Sequence, residues 1–335
     1  MFLHESGLYY HGILPLPPLS VIPIVIKRIR EESEPRNLVH LLRSLDMCRT
    51  TDPRDKIYCL LGLADDGSLA PKPDYSQSVQ AVYRSYAVHS IVNCEGLELL
   101  RSSGIAQGAS RADATWVPCW DRWSFEPSVG SILKESKLFQ AGASVQAHYA
   151  FEESFSLLKV RGVRIDSAGR FCSSSEFNQD WISWERRISC IVQESPRFST
   201  ESYAKALSMD GDGQGIRSFP THSAVPDLTF VDLYNSAFVT GPVLEIAQLA
   251  YIDCIAALAI DHRFILTSRG YMGWVPEASK SSDTICIIFG VNVPLVLREA
   301  EGGRHIIIGE AYIEGIMGGE AMHDSDLIAE DFTLT

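Results

Sequence analysis

The 335-residue chain lacks the short signatures by which many enzymes are identified from sequence. It contains no G-x-S-x-G, no H-E-x-x-H, no P-loop and no dinucleotide-binding glycine fingerprint. The enzyme families that these motifs define are therefore excluded as interpretations, and any catalytic site must rest on residues without a known short pattern.

Positive charge is also scarce, with 29 Lys and Arg against 42 Asp and Glu and a net charge of −13. Neutralising phosphates requires a basic face, so nucleic-acid binding is not expected. The eight cysteines form no C-x-x-C pair, and no histidine lies at metal-ligand spacing beside them. This pattern predicts reduced thiols in a cytoplasmic protein, with no metal site and no cofactor.

Long uninterrupted apolar runs are missing as well. Residues 1–35 are apolar but rich in proline, and their basic residues follow the apolar run, which is a poor secretory signal. The run Leu244 to Ile260 contains Glu245, Gln248 and Asp253 and falls short of the ~20 residues that a membrane span needs. We interpret it as a buried helix and expect no membrane span.

Helix signals dominate the first half of the chain. In "TTDPRDKIYCLLGLA", Asp52 is a good N-cap, Pro53 suits the first helical position and Gly62 suits the stop. Further helices are predicted after Ser76 or Ser78, after Asp180 and after Ser199 or Thr200. "LLKVRGVRID" instead predicts a strand near 157–166, in which the apolar phase slips at Gly162 and indicates a β-bulge.

From Arg263 onwards the rhythm changes to short β-rich runs separated by turn residues. These runs are "RFILTS", "YMGWV", "TICIIFG", "VPLVLR" and "HIIIGEAYI". Regular short strands with turns between them predict an antiparallel sheet or small barrel. The fold class is therefore α+β, with a mainly helical N-terminal half and a small antiparallel β module at the C-terminus.

The predicted organisation has five parts. An apolar lead-in is expected over 1–35, a mainly helical region over 36–226, a buried helical connector over 227–262, the β module over 263–323 and a tail over 324–335. Within the second part, 210–226 is expected to be a mobile loop, because Gly and Asp cluster there. Its "DGDGQG" imitates a calcium loop, but position twelve is Thr221 instead of a bidentate glutamate, so we expect no calcium.

The densest aromatic cluster, "DATWVPCWDRW", is the best candidate for a binding site. Trp116, Trp120 and Trp123 could line a ligand pocket, although large aromatics that anchor an irregular segment to the core are the favoured interpretation. Weak candidates for acid–base groups are Asp121 and the pair Glu310 and Glu320.

Several of these segments, in this order, resemble one known family. "TTDPRDKIYCLLGLA", "PDYSQSVQAVYRSYA" and "WVPCWD" are similar to the segment that follows the conserved core of fungal heterokaryon incompatibility (HET) proteins. The run from Arg263 to Met322 is similar to the terminal β module of the same family. The two resemblances together cover roughly Leu38 to Trp123 and Arg263 to Met322.

The chain departs from the family at its start, because the motifs "ALSY-x-WG" and "W-x-x-R-x-W-x-x-QE" of the HET core are absent. Residues 1–35 could at most be the remnant of that core. The resemblance implies a non-enzymatic regulatory, accessory or self/non-self recognition role in a filamentous fungus, through contact with a protein partner. Two alternatives stay open: a cofactor-free isomerase, cyclase or hydrolase acting on an apolar metabolite, and a truncated inactive remnant. The ligand is unknown in every case.

Overall fold

The computed structural model describes most of the chain from residue 37 onwards. The described residues are 37–45, 50–93, 96–109, 114–121, 139–142, 144–172, 177, 180–209, 229–239 and 246–335. The predicted lead-in over 1–35 and the predicted loop over 210–226 lie outside the described residues, as does Trp123.

The helices of the described chain are mostly short. Their bounds are α1 Leu38–Ser44, α2 Asp55–Tyr58, α3 Val79–Asn93, α4 Trp181–Val192, α5 Thr200–Leu207, α6 Phe230–Tyr234 and α7 Ile246–Asp261. A 3₁₀ helix, Gly96–Ser102, follows α3, and a π-helical turn, Asn235–Val239, continues α6. No described helix is long and apolar enough to cross a membrane.

The described residues contain ten strands, which form two sheets. Their bounds are β1 Tyr149–Glu152, β2 Leu157–Ser167, β3 Arg170–Cys172, β4 His262–Leu266, β5 Met272–Pro276, β6 Thr284–Ile288, β7 Leu295–Glu299, β8 Arg304–Glu310, β9 Tyr312–Ile313 and β10 Ala329–Leu334. The larger sheet has the order β1-β2-β10-β8-β7-β6, and β6 also pairs with β2, so five strands close into a barrel. The smaller sheet has the order β3-β4-β5-β9.

Within residues 263–323 the described strand pairings are antiparallel, as expected, but the closed ring also includes β10, which lies outside the predicted module and pairs with β8 in parallel. The other four pairings around the ring are antiparallel. The reason is geometric. Directions cannot alternate all the way around a closed ring with an odd number of strands, so a five-stranded barrel needs at least one parallel pair.

Two barrel strands come from outside the segment in which the sequence places the β module. These two are β2, in the first half of the chain, and β10, in the segment expected to be a tail. Strand β1 is also in the first half, but it pairs with β2 outside the ring. Phe332 and Leu334 of β10 are fully buried. β structure is therefore not confined to the C-terminal module, and barrel closure depends on pairings between residues about 170 positions apart, such as Glu330 with Gly162.

The bulged strand is confirmed, but the irregularity lies later than predicted. The register of β2 against β6 shifts between Arg164 and Asp166 and not at Gly162. Glycine is needed at 162 for another reason, since a Cβ there would lie 2.3 Å from the carbonyl oxygen of Ile287. The change of apolar phase at Gly162 therefore reflects two structural features. Strands β2 and β6 approach closely at Gly162, and the bulge follows two residues later.

Most predicted helix starts are confirmed by their caps. The side chains of Asp180 and Ser199 accept hydrogen bonds from the third residue of α4 and α5, and Ser78 accepts one from the N–H of Ala81. The prediction for α2 is wrong in its bounds, although Asp52 Oδ1 does accept a backbone N–H, that of Arg54, at 3.0 Å. The helix begins at Asp55, three residues after Asp52, and it ends at Tyr58 without a left-handed Gly62.

The five predicted β runs all contain strands, and residues 284–298 hold β6 and most of β7. Alternate residues of β6 belong to two hydrophobic clusters. Ile285 and Ile287 lie in the cluster shared with the smaller sheet, while Cys286 and Ile288 lie in the cluster shared with the helices. Both clusters contain residues of the smaller sheet as well as of the barrel strands, and the one with Cys286 and Ile288 also contains residues of the helices.

Candidate functional site

Trp116 is a core anchor. Its side chain is fully buried, its indole N–H donates to the carbonyl of Ser156 at 3.2 Å, and its ring lies 5.8 Å from that of Phe151. Its own carbonyl accepts a hydrogen bond of 2.8 Å from the Ser103 hydroxyl. These contacts place Trp116 among packed neighbours, which is how a large aromatic holds an irregular segment against a core.

Trp120 and Asp121 lie nearer the surface. The Trp120 ring meets Tyr83 edge-on, with centroids 5.2 Å apart. Burial, and to a lesser extent the charge of Asp121, raises the pKa of Tyr83 well above its usual range. Asp121 itself is exposed and accepts a 3.1 Å hydrogen bond from the Cys119 thiol. Trp116 and Trp120 therefore pack on different neighbours, so the described part of the cluster does not converge on one pocket.

Thr115 joins this connector to the barrel, and the sequence offered no signal for it. Its N–H donates to the carbonyl of Thr335 at 2.7 Å, and its hydroxyl donates to the same oxygen. The hydroxyl oxygen also accepts a 3.0 Å hydrogen bond from the N–H of Ile307 in β8. One threonine thus contacts β8 and the residue after β10 at their parallel junction.

Glu310 lies in a buried charge cluster at the end of β8. Its carboxylate is 3.2 Å from Nε of Arg101, and both side chains are almost fully buried. Arg101 also contacts Glu98 at 3.4 Å, and the other oxygen of Glu98 accepts a hydrogen bond from the N–H of Asn292. Burial raises the pKa of Glu310, although Arg101 acts in the opposite direction. The cluster connects the 3₁₀ helix Gly96–Ser102 to the barrel.

Glu320 has a different environment from Glu310. It is exposed, and its carboxylate accepts a 2.8 Å hydrogen bond from the N–H of Gly318 in the turn before it. The two glutamates are therefore engaged by separate partners, one an arginine and one a backbone amide. Their present contacts are those of structural residues.

Glu185 on α4 is a buried carboxylate that the sequence reading missed. It accepts hydrogen bonds from the phenols of Tyr234, at 2.7 Å, and Tyr203, at 3.3 Å. Burial raises the pKa of Glu185, and the two tyrosines partly offset this. The preceding residue, Trp184, stacks its ring on that of Trp274, with centroids 6.1 Å apart. Glu185 lies in the segment "DWISWERR", whose sequence signals are a helix cap and an apolar face, and neither of these points to the glutamate.

An open groove of about 400 Å³ lies between β3, the end of α4 and the turn from β4 to β5. Arg170 and Glu194 form an ion pair of 2.9 Å at its wall, and the Ser195 hydroxyl donates to the Gly270 carbonyl at 2.7 Å. Gly270 has φ +85°, and a Cβ there would lie 2.5 Å from Ser195 Oγ. Of the candidates that the structure describes, Trp116, Trp120, Asp121, Glu310 and Glu320 do not line this groove.

Metal ligands do not gather in the described part of the chain. No group of three or more His, Cys, Asp or Glu side chains there could hold a metal ion. The "DGDGQG" loop lies outside the described residues, so its failure to bind calcium stays a prediction that calorimetric titration with calcium can check.

The barrel defines the class of protein. Residues 241–334 match the Het-6 beta-barrel domain, so the C-terminal part of the chain is similar to that domain family. The wider comparison points to one relative in particular. Over 378 aligned positions the chain is 24% identical to "Heterokaryon incompatibility protein 6, OR allele" of Neurospora crassa (strain ATCC 24698 / 74-OR23-1A / CBS 708.71 / DSM 1257 / FGSC 987).

That alignment covers 91% of this chain and 54% of the relative, so the chain spans about half the length of the curated relative it matches. No solved structure matches the chain. The HET-family resemblance drawn from the sequence is confirmed, both for the C-terminal barrel and across the length of the chain.

Proposed function

We propose that the chain is a non-enzymatic recognition or regulatory protein of the heterokaryon incompatibility type, acting in a filamentous fungus through contact with a protein partner. The observation that carries the proposal is the similarity to heterokaryon incompatibility protein 6 across 91% of the chain. The match of residues 241–334 to the Het-6 beta-barrel domain supports it. We place the protein in the cytoplasm, in keeping with the free cysteines among its described residues.

The environments of the candidate catalytic groups also favour recognition over catalysis. A nucleophile or general base has to lie within hydrogen-bond reach of the group it serves, with a space nearby for substrate. Glu310 is paired with buried Arg101, Glu320 with a backbone amide, and Asp121 lies exposed beside Cys119. Within the described part of the chain, these three acids do not share a pocket.

The proposal is tested by expressing residues 1–335 inducibly in a fungal host and measuring viability. A HET-core-containing relative, expressed to the same protein level, is the positive control. We expect no cell death from this chain alone, because it lacks the N-terminal HET motifs. Death at comparable protein levels would contradict an accessory role and direct attention to Trp116, Trp120, Asp121 and Trp123.

The enzyme and remnant alternatives give different results in a second experiment. Deletion of the gene should change the outcome of confrontations between strains if the protein takes part in self/non-self recognition. An unchanged outcome favours the remnant. An altered metabolite profile, restored by the wild-type chain but not by Asp121→Asn, favours the enzyme.

A further inference from the structure

Among the residues that the structure describes, strand β1 pairs along one edge and leaves the other open. It pairs with β2 along one side, in the register Tyr149 to Val160 and Phe151 to Leu158. The carbonyl of His148 accepts the N–H of Arg161 at 3.1 Å, so the antiparallel alternation directs the N–H and C=O of Tyr149 and Phe151 away from β2. Within the described chain these outward groups have no hydrogen-bond partner.

The same strand carries an exposed aromatic face. The rings of Tyr149 and Phe155 lie 5.8 and 5.4 Å from that of Phe151, which in turn lies 5.8 Å from buried Trp116. Tyr149 is 38% and Phe155 49% exposed. Aromatic side chains backed by a rigid core residue are the composition found at the centres of protein interfaces.

The turn after β1 holds an uncommon backbone. Glu153, Ser154 and Phe155 have φ values of 48°, 55° and 67°, although none is glycine. An L-residue with a side chain is strained in this left-handed region, because its Cβ approaches the following carbonyl oxygen. The Arg304 side chain holds Glu153 by a 2.8 Å ion pair. This conformation keeps Phe155 beside Phe151 on the surface, and strain of this kind at an exposed turn motivates a search for function.

The charge of the edge indicates its partner. Side chains alternate along β1, so Ala150 and Glu152 face away from the aromatic side. Glu152 is exposed and, in the part of the chain described, has no ion-pair partner. A second copy would bring another chain of net charge −13 to this edge, and like-charge repulsion disfavours that. An apolar side chain against Phe151 and a lysine or arginine against Glu152 fit the edge better.

We propose that β1 is a docking edge for an extended segment of a partner protein in which apolar and basic side chains alternate. The segment adds a strand to the larger sheet and satisfies the outward groups of Tyr149 and Phe151. The inference deepens the proposed recognition function by naming the partner's chemistry, but the binding it predicts is measured on purified protein. Its failure therefore leaves the viability result unaffected.

The probe is a fluorescein-labelled peptide of alternating lysine and valine, about eight residues long like an ordinary strand. Fluorescence anisotropy measures its binding to the purified full chain at low salt. A second peptide of the same sequence carries N-methyl groups at alternate amides, which removes backbone donors but keeps the charge. We expect saturable binding of the first peptide and none of the second. Equal binding of both, or binding of neither, overturns the proposal.

Three variants locate the site. Tyr149→Pro removes one outward N–H at a position where an edge strand tolerates proline, and it should abolish binding. Glu152→Lys reverses a surface charge and should weaken binding about fivefold. Glu301→Lys, the same exchange at an exposed glutamate in the turn between β7 and β8, should leave binding unchanged.

Thermal melting shows whether Tyr149→Pro is folded. If it is not, the binding measured with Glu152→Lys decides whether the peptide binds at β1. Equal loss in Glu152→Lys and Glu301→Lys would mean general electrostatic attraction and would overturn the site. Light scattering tests whether a second copy of the chain binds the edge instead. A dimer of the wild-type chain that Tyr149→Pro dissociates would show that a second copy takes the edge, contrary to the proposal.

Discussion

The guanidinium group of Arg54 lies across the carboxylate of Asp52, with Nε 2.9 Å from Oδ1 and Nη2 2.7 Å from Oδ2. Its third nitrogen donates to the carbonyls of Tyr75 and Gln77, at 2.6 and 2.8 Å. The two sequence segments that carry the first part of the family resemblance, "TTDPRD" and "PDYSQ", are therefore held together by one arginine. Asp52 Oδ1 also accepts the backbone N–H of Arg54 at 3.0 Å, so the same carboxylate caps the turn before α2 and orients the arginine side chain.

Asp52→Ala should lower the midpoint of thermal unfolding, because Arg54 loses the bidentate partner that fixes its orientation toward residues 75–77. The hydrogen bonds from Arg54 keep the pKa of Asp52 below its ordinary value, so the carboxylate is charged at neutral pH. Asp326→Ala, at an exposed aspartate in a surface turn, is the control and should melt like the wild type. An unchanged midpoint in Asp52→Ala would show that the Arg54 contacts form without it.

Glu310→Ala should be strongly destabilising, by roughly 3–5 kcal/mol, because it leaves Arg101 buried without its closest carboxylate. The double variant Arg101→Met with Glu310→Met should recover part of this loss, since it removes both charges together. Urea unfolding followed by circular dichroism measures each variant. A loss below about 1 kcal/mol in the single variant would mean that water or Glu98 compensates for the missing partner.

Phe332→Ala tests whether β10 closes the barrel. The ring is fully buried, so its removal should cost roughly 3–5 kcal/mol. Ile328→Ala, four residues earlier and 81% exposed, is the matched control and should change stability by less than about 0.5 kcal/mol. If both variants are equally stable in urea unfolding, β10 does not contribute to the core in solution.

Burial lowers the pKa of His262 from its ordinary value of 6.5 to about 4. Since the folded-state pKa is below that of the unfolded chain, the unfolded state takes up the proton first as the pH falls. The stability contributed by neutral His262 is therefore complete above about pH 6.5 and is lost as the pH falls toward about 4. The total loss is on the order of 3 kcal/mol.

His262→Phe should flatten this part of the stability profile, because it removes the group that titrates. The substitution should leave no broken hydrogen bond at Nδ1, since that atom has no partner in the described chain. His305, whose pKa burial also lowers, keeps a weaker dependence of the same sign. His323→Gln, at an exposed histidine, serves as the control. Urea unfolding between pH 4 and pH 7 decides it, and equal slopes for His262→Phe and wild type would assign the dependence to other groups.

The candidate site could be predicted only in part. Large aromatic residues in an irregular segment gain most by burying their apolar surface in the core, so the anchoring interpretation of Trp116 followed from residue type. Thr115 and Glu185 could not be found in the same way. Their roles come from Ile307 and Thr335 and from Tyr203 and Tyr234, which lie far away or on other helices.

The sequence by itself determined the local elements of this protein. Asp180 and Ser199 start their helices because a side chain of the right length sits next to an unsatisfied amide, and alternating apolar residues after Arg263 make strands. These are interactions between neighbours, so a short window of sequence contains them.

Only the tertiary structure decided how the barrel closes and what Asp52 does. Strand β2 meets β10 and β6 across more than 100 residues, and the parallel junction of β8 with β10 follows from the odd number of strands. Asp52 accepts the neighbouring N–H of Arg54, but its pairing with the Arg54 guanidinium depends on the carbonyls of Tyr75 and Gln77, which hold that side chain in place. Both results depend on which distant segments come into contact, and local sequence propensity does not specify those contacts.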